Sequence, residues 1–200
     1  KKVTTVVFTT DDFGGSALYS YDYIEVYVSV SDSFTEDNSF FLYGGKKQTV
    51  RIQYASSSPN NYFSGVIRTM RENMKEKWNI EFTELKADEA AATTGFDFYI
   101  FEHKMPSTIP TDGFVLLVDP ETAPADAGFR VGQPVKVNSD STLASGKPHD
   151  LTKHADSNRV TIAKYNQIIS SDGYEELAYY KGNPVMLVKD EPNAKVVVWA

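Results

Sequence analysis

A strand, a polar loop and an amphipathic helix follow one another between Val50 and Trp78, and this succession restricts the fold more than any other part of the chain. Val50, Ile52 and Tyr54 alternate with Arg51 and Gln53, and Ala55 closes the run, which is the period of a strand. Ser56-Ser57-Ser58-Pro59-Asn60-Asn61 interrupts it. Pro59 suits the first turn of a helix, and the Ser and Asn side chains around it can accept from the unpaired N–H groups there. Phe63, Val66, Ile67, Met70 and Met74 then recur at helical spacing.

Downstream, more elements join this unit. Ile80 to Phe82 reads as a short strand, Ala87 to Thr93 as a short helix and Phe96 to Phe101 as a buried strand. A proline-bearing loop from Met105 to Gly113 follows. Phe114 to Val118 is then continuously apolar, as a central parallel strand requires. This alternation predicts an open α/β sheet. From Pro120 the texture turns β-rich, with strands expected at 135–137, 159–164, 175–180, 184–188 and 195–199. The last of these runs into the C-terminus, which reads as a truncated domain.

Upstream the pattern is all β. Thr4 to Thr10, Tyr23 to Val30 and Ser39 to Tyr43 are the strands expected, and Gly44 to Gln48 is the linker. Three strands are marginal alone. They read as part of a β-sandwich (1–47) ahead of an α/β domain (48–200), with an exposed edge through which the chain can dimerise.

Composition narrows the function. The formal charge is −7, which argues against a nucleic-acid or anionic-membrane surface. The absence of cysteine removes thiol nucleophiles, Cys-ligated metals and disulfides. No apolar run approaches the roughly 20 residues of a membrane span. No cofactor fingerprint is present, so none is expected.

Four groups of residues invite a chemical reading. Ser56, Ser57, Ser58, Asn60 and Asn61 lie where an open sheet binds ligands, at a strand's carboxyl end before a helix; helix capping is the alternative. Glu102 and His103 end the Phe96 strand, and Asp119 ends the next, so a hydrolase or transferase could draw on all three. An exposed loop is the plainer reading of Glu102 and His103. His149 and His154, with Asp150 and Asp156 nearby, are candidates for a zinc site, but at loop spacing; a surface loop packed by Leu151 is the alternative. The acidic loops at Asp11-Asp12 and Asp32 to Asn38 offer oxygen ligands without EF-hand order.

Several of these stretches together resemble a known family. Phe96-Asp97-Phe98-Tyr99-Ile100-Phe101-Glu102, then Met105-Pro106, Ile109-Pro110 and Gly113 to Pro120, are similar to the class I glutamine amidotransferase-like domain. The version in question belongs to membrane-anchored bacterial proteins with a von Willebrand factor A domain, related to aerotolerance regulators. His149 to Lys153 and Gly182 to Val188 resemble later segments of that domain, and Asp22 to Phe41 resembles the sandwich before it. The resemblance implies a flavodoxin-like sheet on the extracytoplasmic side of a bacterial membrane. The alternative location is the cytoplasm. Amidotransferases of this class use a Cys nucleophile at a strand–helix elbow, and here Glu102-His103 and then Met105-Pro106 stand instead. The expectation is therefore a non-catalytic interaction or scaffold module, whose partners are other domains of a parent protein or other proteins.

Overall fold

The structure is a computed structural model and describes residues 5–13, 23–29, 38–43, 47–59, 61–86, 88–137 and 142–200. The chain divides into two compact units, residues 1–49 with 70–79, and residues 50–69 with 80–200.

In the first unit, β1 (Tyr23–Tyr27) pairs antiparallel with β2 (Ser39–Tyr43), from Tyr23 opposite Tyr43 to Tyr27 opposite Ser39. β2 has the bounds expected from sequence. The strand expected at Thr4 to Thr10 does not form among the described residues: 5–9 are irregular and Thr10–Phe13 is a 3-10 turn. The Asp12 carboxylate accepts from the Thr9 N–H and hydroxyl and so closes the chain on itself. These bonds hold its pKa below the usual value.

The second unit is built on a mixed sheet. Its parallel strands are β3 (Gln48–Ser56), β5 (Phe98–Glu102), β6 (Gly113–Val118) and β12 (Ala194–Trp199). β4 (Trp78–Leu85) lies outside β3. Beyond β12 come β11 (Asn183–Asp190), β10 (Glu175–Tyr180) and the two-residue β8 (Ala144–Ser145), each antiparallel to its neighbour. The sheet order is β4-β3-β5-β6-β12-β11-β10-β8. A separate antiparallel ribbon joins β7 (Phe129–Lys136) to β9 (Lys164–Ser171).

Register explains the core. Ala55, Phe101, Leu117, Val198 and Leu187 stand opposite one another across five strands, and all are fully buried. With Tyr99, Val115, Val185 and Val196 they form the main cluster. Such continuous apolar strands are what a sheet covered on both faces needs. On β3 and α1 (Asn61–Met74), Tyr54 meets Phe63 with ring centroids 5.8 Å apart, and Ile67 is buried.

The chain is mostly β, with a mixed sheet and one α-helix among the described residues. The helix expected over Ala87 to Thr93 is absent from its described residues, and tertiary contacts explain why. The buried Gln53 side chain donates to the Ala92 carbonyl at 3.1 Å and accepts from the Ala92 N–H at 2.9 Å, which holds that segment open. The Lys104 ammonium donates to the carbonyls of Lys86 and Glu89. The strand expected at 159–164 also fails: Ser157–Arg159 is a 3-10 turn capped by Asp156, and the strand begins at Lys164.

Candidate functional site

The parallel strands end on one line. Ser56 of β3 stands opposite Glu102 of β5, which stands opposite Val118 of β6, which stands opposite Trp199 of β12. Three of the expected site positions, Glu102, His103 and Asp119, thus meet the Ser56 loop at the sheet's carboxyl edge. That is where open α/β sheets bind ligands.

Each is engaged by the protein itself. Glu102 is only 4% exposed, not part of an exposed loop, and its carboxylate accepts from the buried Tyr54 hydroxyl. Its carbonyl accepts weakly from the Ser57 N–H, at 3.4 Å. Ser56 is buried and its hydroxyl accepts from the Ser58 N–H at 3.1 Å, a local turn that ends β3. Ser57 and Ser58 are exposed, Asn61 opens α1, and Asn60 lies outside the described residues.

His103 and Asp119 follow β5 and β6 with φ of 55° and 46°, in the left-handed region that His and Asp tolerate better than most residues. Backbone bonds hold both turns: the His103 N–H donates to Val118 and the Asp119 N–H to Trp199, at 3.1 and 2.7 Å. Their side chains meet, with His103 Nδ1 3.4 Å from Asp119 Oδ2. Two residues of β9 complete the group. Asn166 Nδ2 donates to Asp119 Oδ1 at 2.7 Å, and Lys164 Nζ lies 3.2 Å from Asp119 Oδ2. Asp119 therefore meets an amide, an ammonium and an imidazole, and it ties the β7–β9 ribbon to the sheet.

Chemically, an imidazole oriented by a carboxylate can exchange a proton with a bound water. Sequence reading missed Lys164 and Asn166. They lie in a different ribbon, 45 and 47 residues after Asp119, and no local pattern announces the pairing.

His149 and His154 lie elsewhere, on the segment after β8 at the opposite end of the sheet order from β3. His149 Nδ1 accepts from the Leu151 N–H at 3.1 Å. Among the described residues no group of three or more His, Cys, Asp or Glu side chains is arranged to hold a metal. No helix among them is long and apolar enough to cross a membrane.

No protein-family model matches the chain, and no curated protein matches it. Solved structures do. A cytoplasmic protein from Salmonella typhimurium LT2 is similar at 11% identity, over 76% of this chain and 87% of that one, with a TM-score of 0.52. A second Salmonella typhimurium cytoplasmic protein is similar at 12% identity, over 88% and 82%, with a TM-score of 0.44. A ThuA-like protein from Parabacteroides merdae, whose fold is glutamine-amidotransferase-like, is similar at 11% identity, over 77% and 79%, with a TM-score of 0.36. None of the three is described as carrying a von Willebrand factor A domain. The expected extracytoplasmic location is corrected: the similar Salmonella protein with a TM-score of 0.52 is described as cytoplasmic, which agrees with the alternative location.

Proposed function

We propose that the chain is a non-catalytic protein-interaction module that carries an amidotransferase-like, flavodoxin-like sheet. The strand order supports the fold: taken in chain order, β3, β4, β5, β6 and β12 lie as 2-1-3-4-5, the flavodoxin-like arrangement. The observation that carries the function is the β1–β2 ribbon. Tyr23, Tyr27, Phe40, Phe41, Leu42 and Tyr43 are all exposed there, Tyr43 by 74%. Aromatic side chains concentrated on a surface mark protein interfaces, and a two-stranded ribbon is marginal until something covers it. The occupant is another protein surface that extends or covers this ribbon. Glu102 supports the same reading, since its carboxylate is buried and bonds to Tyr54.

Photo-crosslinking in the cell that makes the protein tests this. A benzophenone side chain at Phe40 is expected to give a discrete protein adduct, and one at Tyr62, exposed on α1, is not. Equal labelling at both positions, or none at Phe40, would overturn the reading.

The 3.4 Å contact of His103 with Asp119 favours a second reading. In it His103 takes a proton from water during hydrolysis, and Asp119 stabilises the imidazolium. Turnover of an ester, amide or phosphate substrate that vanishes in a folded His103→Asn variant would support it. A screen of those three classes without turnover would remove it.

A further inference from the structure

A cavity of about 310 Å³ opens where the sheet passes from parallel to antiparallel. Its floor is a run of paired positions: Trp199 opposite Met186, Met186 opposite Ala178, and Ala178 opposite Ser145. β10 changes register on both sides of Ala178, and the successive residues Leu177 and Ala178 both line the cavity. A regular strand sends neighbours to opposite faces, so the irregularity is what re-aims one of them. The facing wall is the segment after β8. Gly146 starts it by lying on β10, where an added Cβ would stand 2.3 Å from the Glu176 carbonyl oxygen.

The rim is rich in donors. Lys147, His149 and Lys153 line it, and no Asp or Glu does, in a chain with 27 acidic and 20 basic residues. His149 Nδ1 already accepts from Leu151, so the neutral ring carries its proton on Nε2. The Ser145 and Ser157 hydroxyls share one bond at 2.8 Å, which leaves one hydroxyl proton to donate elsewhere. Lys147 pairs with Glu175 and Lys153 with Asp150 outside the cavity; both are exposed pairs that a ligand anion can displace at little cost.

We infer that this cavity binds a small carboxylate with an aryl or branched alkyl body. The body lies against Trp199 and Met186 and the carboxylate meets the donors of Lys147, Lys153 and His149. The volume suits a molecule of that size, and an apolar floor with a few converging polar groups is the usual composition of such sites. This goes beyond the interaction reading and does not depend on it.

Calorimetric titration of the full chain with phenylacetate, 3-phenylpropionate and 4-methylpentanoate tests the inference, with phenylacetamide as the neutral isostere. At least one carboxylate is expected to bind, and more tightly than the amide by about tenfold, the value of one charge-assisted bond. Lys153→Met is expected to remove most of that preference. Ala155→Trp, at an exposed position on the wall, should block binding while thermal unfolding stays as in the parent. Equal binding of acid and amide, binding that survives A155W, or no binding by any of the three acids would overturn it. Should A155W unfold, the K153M titration and the acid–amide comparison still decide the matter.

Discussion

Asn166 shows how a single side chain holds this fold together. It is 8% exposed, and its amide donates to a carboxylate that sits at a left-handed strand end. Asn166→Ala leaves Asp119 Oδ1 without that partner, and the expected loss is about 2 kcal/mol, measurable by urea unfolding. Gly113 is a second such position. Its φ is +68°, and a Cβ would lie 2.6 Å from the Phe96 carbonyl oxygen and 2.7 Å from that of Asp97. Gly113→Ala should cost about 1 to 3 kcal/mol through strain and displaced backbone. Tyr99 sets an alkaline limit. It is fully buried, and burial, followed by its bond to Asp112, raises its pKa from 10.0 to about 12. A raised folded-state value means this stability is whole below pH 10 and is lost as pH rises through about 12. Tyr99→Phe should flatten the fall in unfolding free energy over that window.

At the scale of elements, legibility followed locality. Ser39 to Tyr43 and Phe114 to Val118 were readable because their apolar runs are bounded by polar residues and turns. The Val50 strand and the helix after it were readable because each keeps its own period. The segment 87–93 misled because its alanines favour a helix locally, whereas Gln53, 39 residues away, pins Ala92 in another conformation. Gln53→Leu removes both bonds and should cost about 1 to 3 kcal/mol in urea unfolding, with faster hydrogen exchange at Ala92 as the local sign. The same limit applied to the candidate site. Glu102, His103 and Asp119 could be named because strand ends are visible in sequence. The Tyr54 bond to Glu102 and the Lys164 and Asn166 contacts to Asp119 could not, since they depend on which strands become neighbours.

For the molecule as a whole, the two units pose different problems. The sheet-bearing unit buries continuous apolar strands and uses its strand-end carboxylates internally. The unit with the β1–β2 ribbon leaves large aromatic side chains exposed. If a partner covers the ribbon, as proposed, the ribbon's state in isolation is the most direct test. Hydrogen exchange should be followed at Glu25 to Tyr27 and Phe40 to Tyr43, in the purified chain and in its Phe40-crosslinked complex. The prediction is rapid exchange in the free chain, far faster than at Val115 to Leu117 in β6, with protection gained in the complex. Ribbon amides already as protected as those of β6 in the free chain would contradict it, because the ribbon would then be complete without a partner.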